Sequence, residues 1–252
     1  MIQNGLYAIR IDKGKFVTQL SQSENYRGEI TVRNDSQLKT EVTVYLEDFE
    51  YTAPYEGAKE FYSPGTKNNS IAGWINFSPQ KFILPAYGSK QVGFIVKPDE
   101  KVSATHCGVL FFETPLGSVE SGAGISLVGR VGSLLFINPK RAQREVTFSE
   151  ITGNYYKITG QLANSGNTFL GPKTTYYIMD SGGMVKDRGQ LDQLYLLPED
   201  KTWLEIIIPK KLSFGRYTTV LTFDLGKGDV LVKEIDFLVN GSGEIEILEV
   251  RD

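Results

Sequence analysis

The stretch Gly124-Ile125-Ser126-Leu127-Val128-Gly129-Arg130-Val131-Gly132-Ser133-Leu134-Leu135-Phe136-Ile137-Asn138-Pro139 decides how the chain is read. Successive side chains of a pleated strand point to opposite faces, so Ile125, Leu127, Val131, Leu135 and Ile137 share one face of a single long strand. Ser126, Arg130 and Gly132 share the other. A strand with this pattern is either the last strand packed inside a sandwich or an uncovered edge on which another chain can add. Gly129 and Gly132 fit both alternatives, because a strand glycine marks close backbone approach.

Working outward, the segments before and after this strand look like two separate sets of strands. At 252 residues the chain suits two domains of ordinary size, 1–139 and 140–252. A hydrophobic share of 40% with 23% charged residues is that of a globular protein, and a net charge of −3 gives no reason to expect nucleic acid or an anionic membrane as partner. No apolar run is long enough to span a bilayer, so no integral membrane segment is expected. The opening Met1-Ile2-Gln3-Asn4-Gly5 lacks the basic and apolar parts of a secretory leader, which suggests a trimmed start. The single cysteine, Cys107, excludes an internal disulfide and sits among Val109, Leu110 and Phe111 as a small buried hydrophobe would.

The first segment, 6–20, is broken at Asp12-Lys13-Gly14 and reads as a strand that bends or changes partner. Ile30 and Val32 mark a half-buried strand, Asn34-Asp35-Ser36 a turn, and Val42, Val44, Leu46 and Phe49 a second strand. From Glu50 to Gly73 the pattern fails, and Tyr51, Tyr55, Phe61 and Tyr62 are expected to pack back onto a sandwich. Cys107 to Glu113 reads as a central strand, Pro115 to Gly122 as a polar turn, and Asn138-Pro139-Lys140-Arg141 as the linker. In the second half, strands are expected at 145–150, 156–162, 174–180, 184–188, 201–208, 216–225 and 230–239. Ser181-Gly182-Gly183 signals a hairpin, Tyr217 a tyrosine corner, and Glu244 to Val250 either a further edge strand, the plainer reading, or an exposed arm. No helical spacing persists over three turns. The fold class is therefore all-β: two tandem immunoglobulin-like antiparallel β-sandwich domains.

Groups for catalysis do not converge. The only histidine, His106, adjoins Cys107, and neighbours in a strand point to opposite faces, so the two cannot act as base and nucleophile. Glu47-Asp48 and Glu199-Asp200 are expected at solvated strand ends, and no cysteine or histidine cluster has metal spacing. No enzyme activity, no cofactor and no metal are expected.

Several phrases resemble the periplasmic chaperones of the chaperone/usher pilus pathway. Val32-Arg33-Asn34-Asp35-Ser36 is similar to their second strand and turn. Phe77-Ser78-Pro79 with Leu84-Pro85 and Lys90-Gln91-Val92 is similar to their proline-bounded strand, and Leu134-Leu135-Phe136-Ile137-Asn138-Pro139 to the end of their donor strand. The resemblance implies two immunoglobulin-like domains outside the cytoplasm, periplasmic or at the cell surface. It also implies a secreted or surface subunit as partner, whose open sheet is completed by strand addition along Ile125, Leu127, Gly129 and Val131. In that family an Arg and a Lys anchor the client's terminal carboxylate. Lys15 matches the first cation, whereas the second position holds Ser133 or Leu134 and Arg130 is only a loose substitute. Lys157 to Asn167 is similar to sandwich domains of bacterial surface proteins, which implies the alternative of a surface or adhesion module meeting a glycan or protein through Tyr51 to Tyr62.

Overall fold

The computed structural model describes residues 9–22, 24–119, 125–209 and 212–252. The chain divides into two compact units, Met1–Phe49 with Phe61–Lys140, and Glu50–Glu60 with Arg141–Asp252. Both are built of strands, and among the described residues there is no helix.

The first unit runs through β1 (Ile9–Ile11), β2 (Lys15–Leu20), β3 (Tyr26–Asn34), β4 (Thr40–Tyr51), β5 (Lys59–Tyr62), β6 (Ile75–Ser78), β7 (Lys81–Leu84), β8 (Ser89–Val96), β9 (His106–Val119) and β10 (Ile125–Pro139), except that Glu50 and Tyr51 of β4 and Lys59 and Glu60 of β5 group with the second unit. One sheet has the order β1-β3-β8-β6; the other has the order β2-β10-β9-β4-β5, with β7 on β4. The break at Asp12-Lys13-Gly14 lets the chain leave one sheet for the other: β1 pairs antiparallel with β3, and β2 pairs parallel with β10. Asp12 fixes the crossing by accepting a hydrogen bond from the Thr31 amide at 2.8 Å.

Alternation explains the core. Ile30, Val32, Val42, Val44, Val92, Phe94, Leu110, Phe112, Leu135 and Ile137 all face inward and are buried. Each such side chain contributes about 1.5–3 kcal/mol by leaving water. Phe94 packs edge-on against Phe16, with centroids 5.0 Å apart, and lies over Gly28, where an added Cβ would come within 2.3 Å of its ring. Only glycine fits there.

The second unit contains β11 (Val146–Asn154), β12 (Lys157–Asn164), β13 (Lys173–Asp180), β14 (Val185–Gln190), β15 (Lys201–Ile207), β16 (Gly215–Gly226), β17 (Asp229–Val239) and β18 (Ile245–Arg251). Its sheets have the orders β11-β12-β15 and β14-β13-β16-β17-β18. The hairpin at Ser181-Gly182-Gly183 forms as expected, with Gly183 at φ 78° and the Asp180 carboxylate accepting from the Gly182 and Met184 amides. Tyr217 donates its hydroxyl to the Ser213 carbonyl at 3.0 Å, the bond of a tyrosine corner. The tail folds locally as β18 on the edge of β17.

Three local expectations are corrected. Pro115 to Val119 is not a turn but the far end of β9, which continues past Pro115 by letting Leu116 bulge where the pairing jumps from Leu127↔Gly117 to Val128↔Pro115. Asn138 and Pro139 are not linker but the last residues of β10, which ends at Pro139, opposite Leu20. The carboxylates at 48 and 200 are not solvated. Asp48 is fully buried and accepts from the Thr66 and Lys67 amides and the Ser70 hydroxyl, at 2.8, 3.0 and 2.6 Å, so it organises the loop after β5. Asp200, half-buried, accepts from the Leu197 amide at 2.7 Å. Burial, with the nearby Glu50 charge adding to it, pushes its pKa up to about 6.

Two outcomes are expected. Asp48→Ala leaves three donors without their acceptor and should cost about 2–3 kcal/mol in urea denaturation, an unchanged midpoint being the contrary result. For Asp200, the folded state binds the proton more tightly than the unfolded chain, whose carboxyl stays near 3.8. Stability from this group therefore grows as pH falls from above 6 towards 4 and is lost as pH rises. Asp200→Asn, which keeps an oxygen for Leu197 and has no charge to bury, should melt higher than the parent at pH 7.5. The difference should vanish near pH 4.

Candidate functional site: a strand with one paired and one open half

β10 has two different halves. Along its whole length it pairs antiparallel with β9, from Ile125↔Val119 to Ile137↔His106. On its other side β2 covers only Leu134 to Pro139, in the register Leu134↔Lys15 to Pro139↔Leu20. Among the described residues no strand pairs with the remaining edge, Ile125 to Ser133. The packed alternative holds for Leu134 to Pro139, and for Ile125 to Ser133 β9 is the only paired strand among the described residues.

The direction of the backbone groups follows from one bond. The Leu134 amide donates to the Gly14 carbonyl at 3.0 Å, so residue 134 turns its N–H and C=O towards β2. Strand groups alternate sides with period two. Val128, Arg130 and Gly132 therefore present N–H and C=O to the open edge, while Gly129, Val131 and Ser133 bond to β9.

The side chains change character along the same line. Leu135, Phe136 and Ile137 are buried, Val131 is half-buried and packs against the first core, and Leu127 and Val128 are 49% and 55% exposed. Gly129 carries no side chain, and the Leu116 side chain fills the place where its Cβ would be, 3.2 Å away. The Ile125 backbone pairs with Val119, and its side chain lies outside the described residues. Ser133, at the junction of the halves, is fully buried, and its hydroxyl has no hydrogen-bond partner among the described residues.

The two candidate cations are not brought together. Lys15 is exposed at the start of β2, opposite Leu134, an apolar residue. Arg130 lies four residues up β10 and opposite Glu113, roughly 13 Å along the strand from Leu134. Its guanidinium sits 4.2 Å from the Phe111 ring centroid and 5.0 Å from that of Phe61, and its Nη1 is 3.2 Å from the Glu47 carboxylate. A hydrogen bond with Tyr45, and then Glu47, raise its pKa. Gly132 belongs to this arrangement, since a Cβ there would meet Val109 and Phe111 within 2.9 Å.

The aromatic stretch falls into two groups. Phe61 packs edge-on against Phe111, centroids 5.0 Å apart, and the Lys67 ammonium sits 3.6 Å from the Tyr62 ring centroid. Tyr51, buried, belongs to the second unit and stacks on Tyr195 at 5.3 Å and Phe169 at 6.0 Å, and Tyr55 packs against the second core. His106 lies against Trp74, centroids 4.1 Å apart, and burial lowers its pKa; Cys107 is buried. The alternation of apolar residues picks out the inward face of β10 but not the even-numbered backbone groups that face its open edge. Nothing in the local sequence shows where β2 stops.

No protein-family model and no curated protein matches the chain in sequence. Solved structures do match. The class 5 fimbriae chaperone CfaA superposes with a TM-score of 0.56 at 16% identity, covering 89% of this chain and 97% of CfaA. A chaperone and tip-adhesin complex of CFA/I fimbriae biogenesis gives 0.55 at 16% identity, with the same coverage. The chain has the fold of the fimbrial chaperones. A third match is the CsuC-CsuE chaperone and tip-adhesion subunit pre-assembly complex from archaic Csu pili of Acinetobacter baumannii, with a TM-score of 0.51 at 11% identity over 89% of this chain and 97% of that one. The all-β, two-domain immunoglobulin-like fold is the one the sequence implies, and the long strand expected at its centre is β10, Ile125–Pro139.

Proposed function

We propose that this chain is a non-enzymatic, extracytoplasmic assembly chaperone of pilus or surface-structure biogenesis that binds a secreted subunit by β-strand addition. The observation that carries the proposal is the edge of β10 between Ile125 and Ser133, which among the described residues no strand covers, with Leu127 half exposed at its start. Residues 1–139 form the chaperone-like domain in this account and 140–252 the second sandwich. The N–H and C=O groups of Val128, Arg130 and Gly132 supply the ladder to the client strand, which gives affinity independent of client sequence. Ile125, Leu127 and Val131 face the client's pockets, and Gly129 leaves a gap among them.

Lys15 is the one cation at the register where the resemblance implies a carboxylate anchor. Leu134 beside it replaces a second positive charge with an apolar side chain. A client held here is therefore bound mainly through main chain and apolar contacts. Arg130 serves its own sheet through Glu47 and Phe111 and contributes to the client through its backbone. The fold likeness to chaperones solved with adhesin subunits supports the same account. A glycan-binding surface on the aromatic stretch is less well supported, because the Tyr51 ring is stacked and buried.

Leu127→Asp tests the proposal, since that side chain is exposed and its replacement leaves the core untouched. Secreted proteins of the source organism that co-purify with the parent chain should be lost at least tenfold with Leu127→Asp. They should be retained by Ile83→Asp, an exposed site on β7, with urea midpoints unchanged in both. Equal retention by Leu127→Asp contradicts strand addition on β10.

A further inference from the structure

A second open strand edge lies in the second unit. β15 pairs with β12 on one side, from Lys157↔Ile207 to Ala163↔Lys201, and among the described residues no strand pairs with its other side. The Ile208 amide donates to the Tyr156 carbonyl at 2.8 Å and the Asn164 amide to the Asp200 carbonyl at 3.0 Å. Even-numbered residues thus turn to β12, and by alternation Trp203, Glu205 and Ile207 turn N–H and C=O to the open side.

This edge borders a groove of about 560 Å³ whose walls include Tyr176, Leu191, Leu194 and Leu204. Trp203 and Ile207, 54% and 61% exposed, stand at its rim. Every charged side chain lining it is acidic: Glu56, Asp192 and Glu205. Glu205 is paired with Lys157 at 2.7 Å, whereas Glu56 and Asp192 have no ion-pair partner among the described residues. The site thus combines an unfilled ladder, apolar walls, an exposed indole and unneutralised negative charge.

We infer that the β15 edge binds an extended polypeptide segment in which apolar residues alternate with lysine or arginine. The ladder groups of Trp203, Glu205 and Ile207 take its main chain, Glu56 and Asp192 take its cations, and the Trp203 ring offers a face on which a cation can lie. A second copy of this chain fits poorly. Antiparallel pairing of β15 with itself about its central open-facing residue places Glu205 against Glu205 and doubles the negative charge, which opposes association. The inference stands apart from the proposal for β10, because it uses a different edge and a different unit.

The test uses a blocked octapeptide of alternating valine and lysine, with a valine and glutamate octapeptide as control. Amide exchange on the full chain is followed residue by residue by NMR. The lysine peptide should slow exchange at Trp203, Glu205 and Ile207 at least tenfold while leaving Thr202, Leu204 and Ile206 unchanged. The effect should weaken at high salt and fall at least tenfold in affinity in Glu56→Lys/Asp192→Lys, two exposed positions. The glutamate peptide should not bind. Protection confined to Val128, Arg130 and Gly132, equal binding of both peptides, unchanged affinity in the double variant, or protection of β15 by raised protein concentration alone would each overturn the inference.

Discussion

The parallel pairing of β2 with β10 is the contact on which the first unit depends. It stops at Leu134↔Lys15, and that limit divides one continuous strand into a half paired on both sides and a half paired, among the described residues, on one side only. Below it, Leu135 and Ile137 fill the core and the backbone is bonded on both sides. Above it, among the described residues, only β9 pairs with the strand, and Leu127 and Val128 are exposed. A backbone donor or acceptor without a partner is tolerated only where water or another chain can reach it. In the proposed function, the buried end of β10 would hold the strand rigid and the end around Leu127 would meet the client.

The open half is managed as well as exposed. Arg130 lies flat on Phe111 and Phe61 and pairs with Glu47, so the outer face of the strand is fastened to β9 and its neighbours without using the open ladder groups. Gly132 permits that contact by leaving space for the Phe111 ring. The bulge at Leu116 allows β9 to follow β10 past Pro115, which extends the pairing to the residues around Leu127. These features keep this half paired with β9, the one strand that pairs with it among the described residues.

Much of this was legible because β-structure writes itself as alternation. Ile30 and Val32, Val42 and Val44, and Leu135 and Ile137 are buried where period two puts them. Gly182-Gly183 and Tyr217 carry local chemistry that fixes a hairpin and a corner. What alternation misses is set by distant pairing. Pro115 looks like a turn in isolation, yet a bulge accommodates it in β9. Asp48 looks like a solvated strand end until a loop about twenty residues later closes over it with three donors. Whether Ile125 to Pro139 was core or edge could not be read from that stretch, since the answer lies in the length of β2, some 110 residues earlier. For the same reason the open side of β15 had no signature of its own.

Amide hydrogen exchange along β10 of the isolated chain, resolved residue by residue, tests the division of the strand most directly. The account predicts alternation in the upper half, with fast exchange at Val128, Arg130 and Gly132 and slow exchange at Gly129, Val131 and Ser133. It predicts continuous protection from Leu134 to Asn138. Slow exchange at every amide from Val128 to Asn138 would mean that the edge is already filled, and would contradict the account.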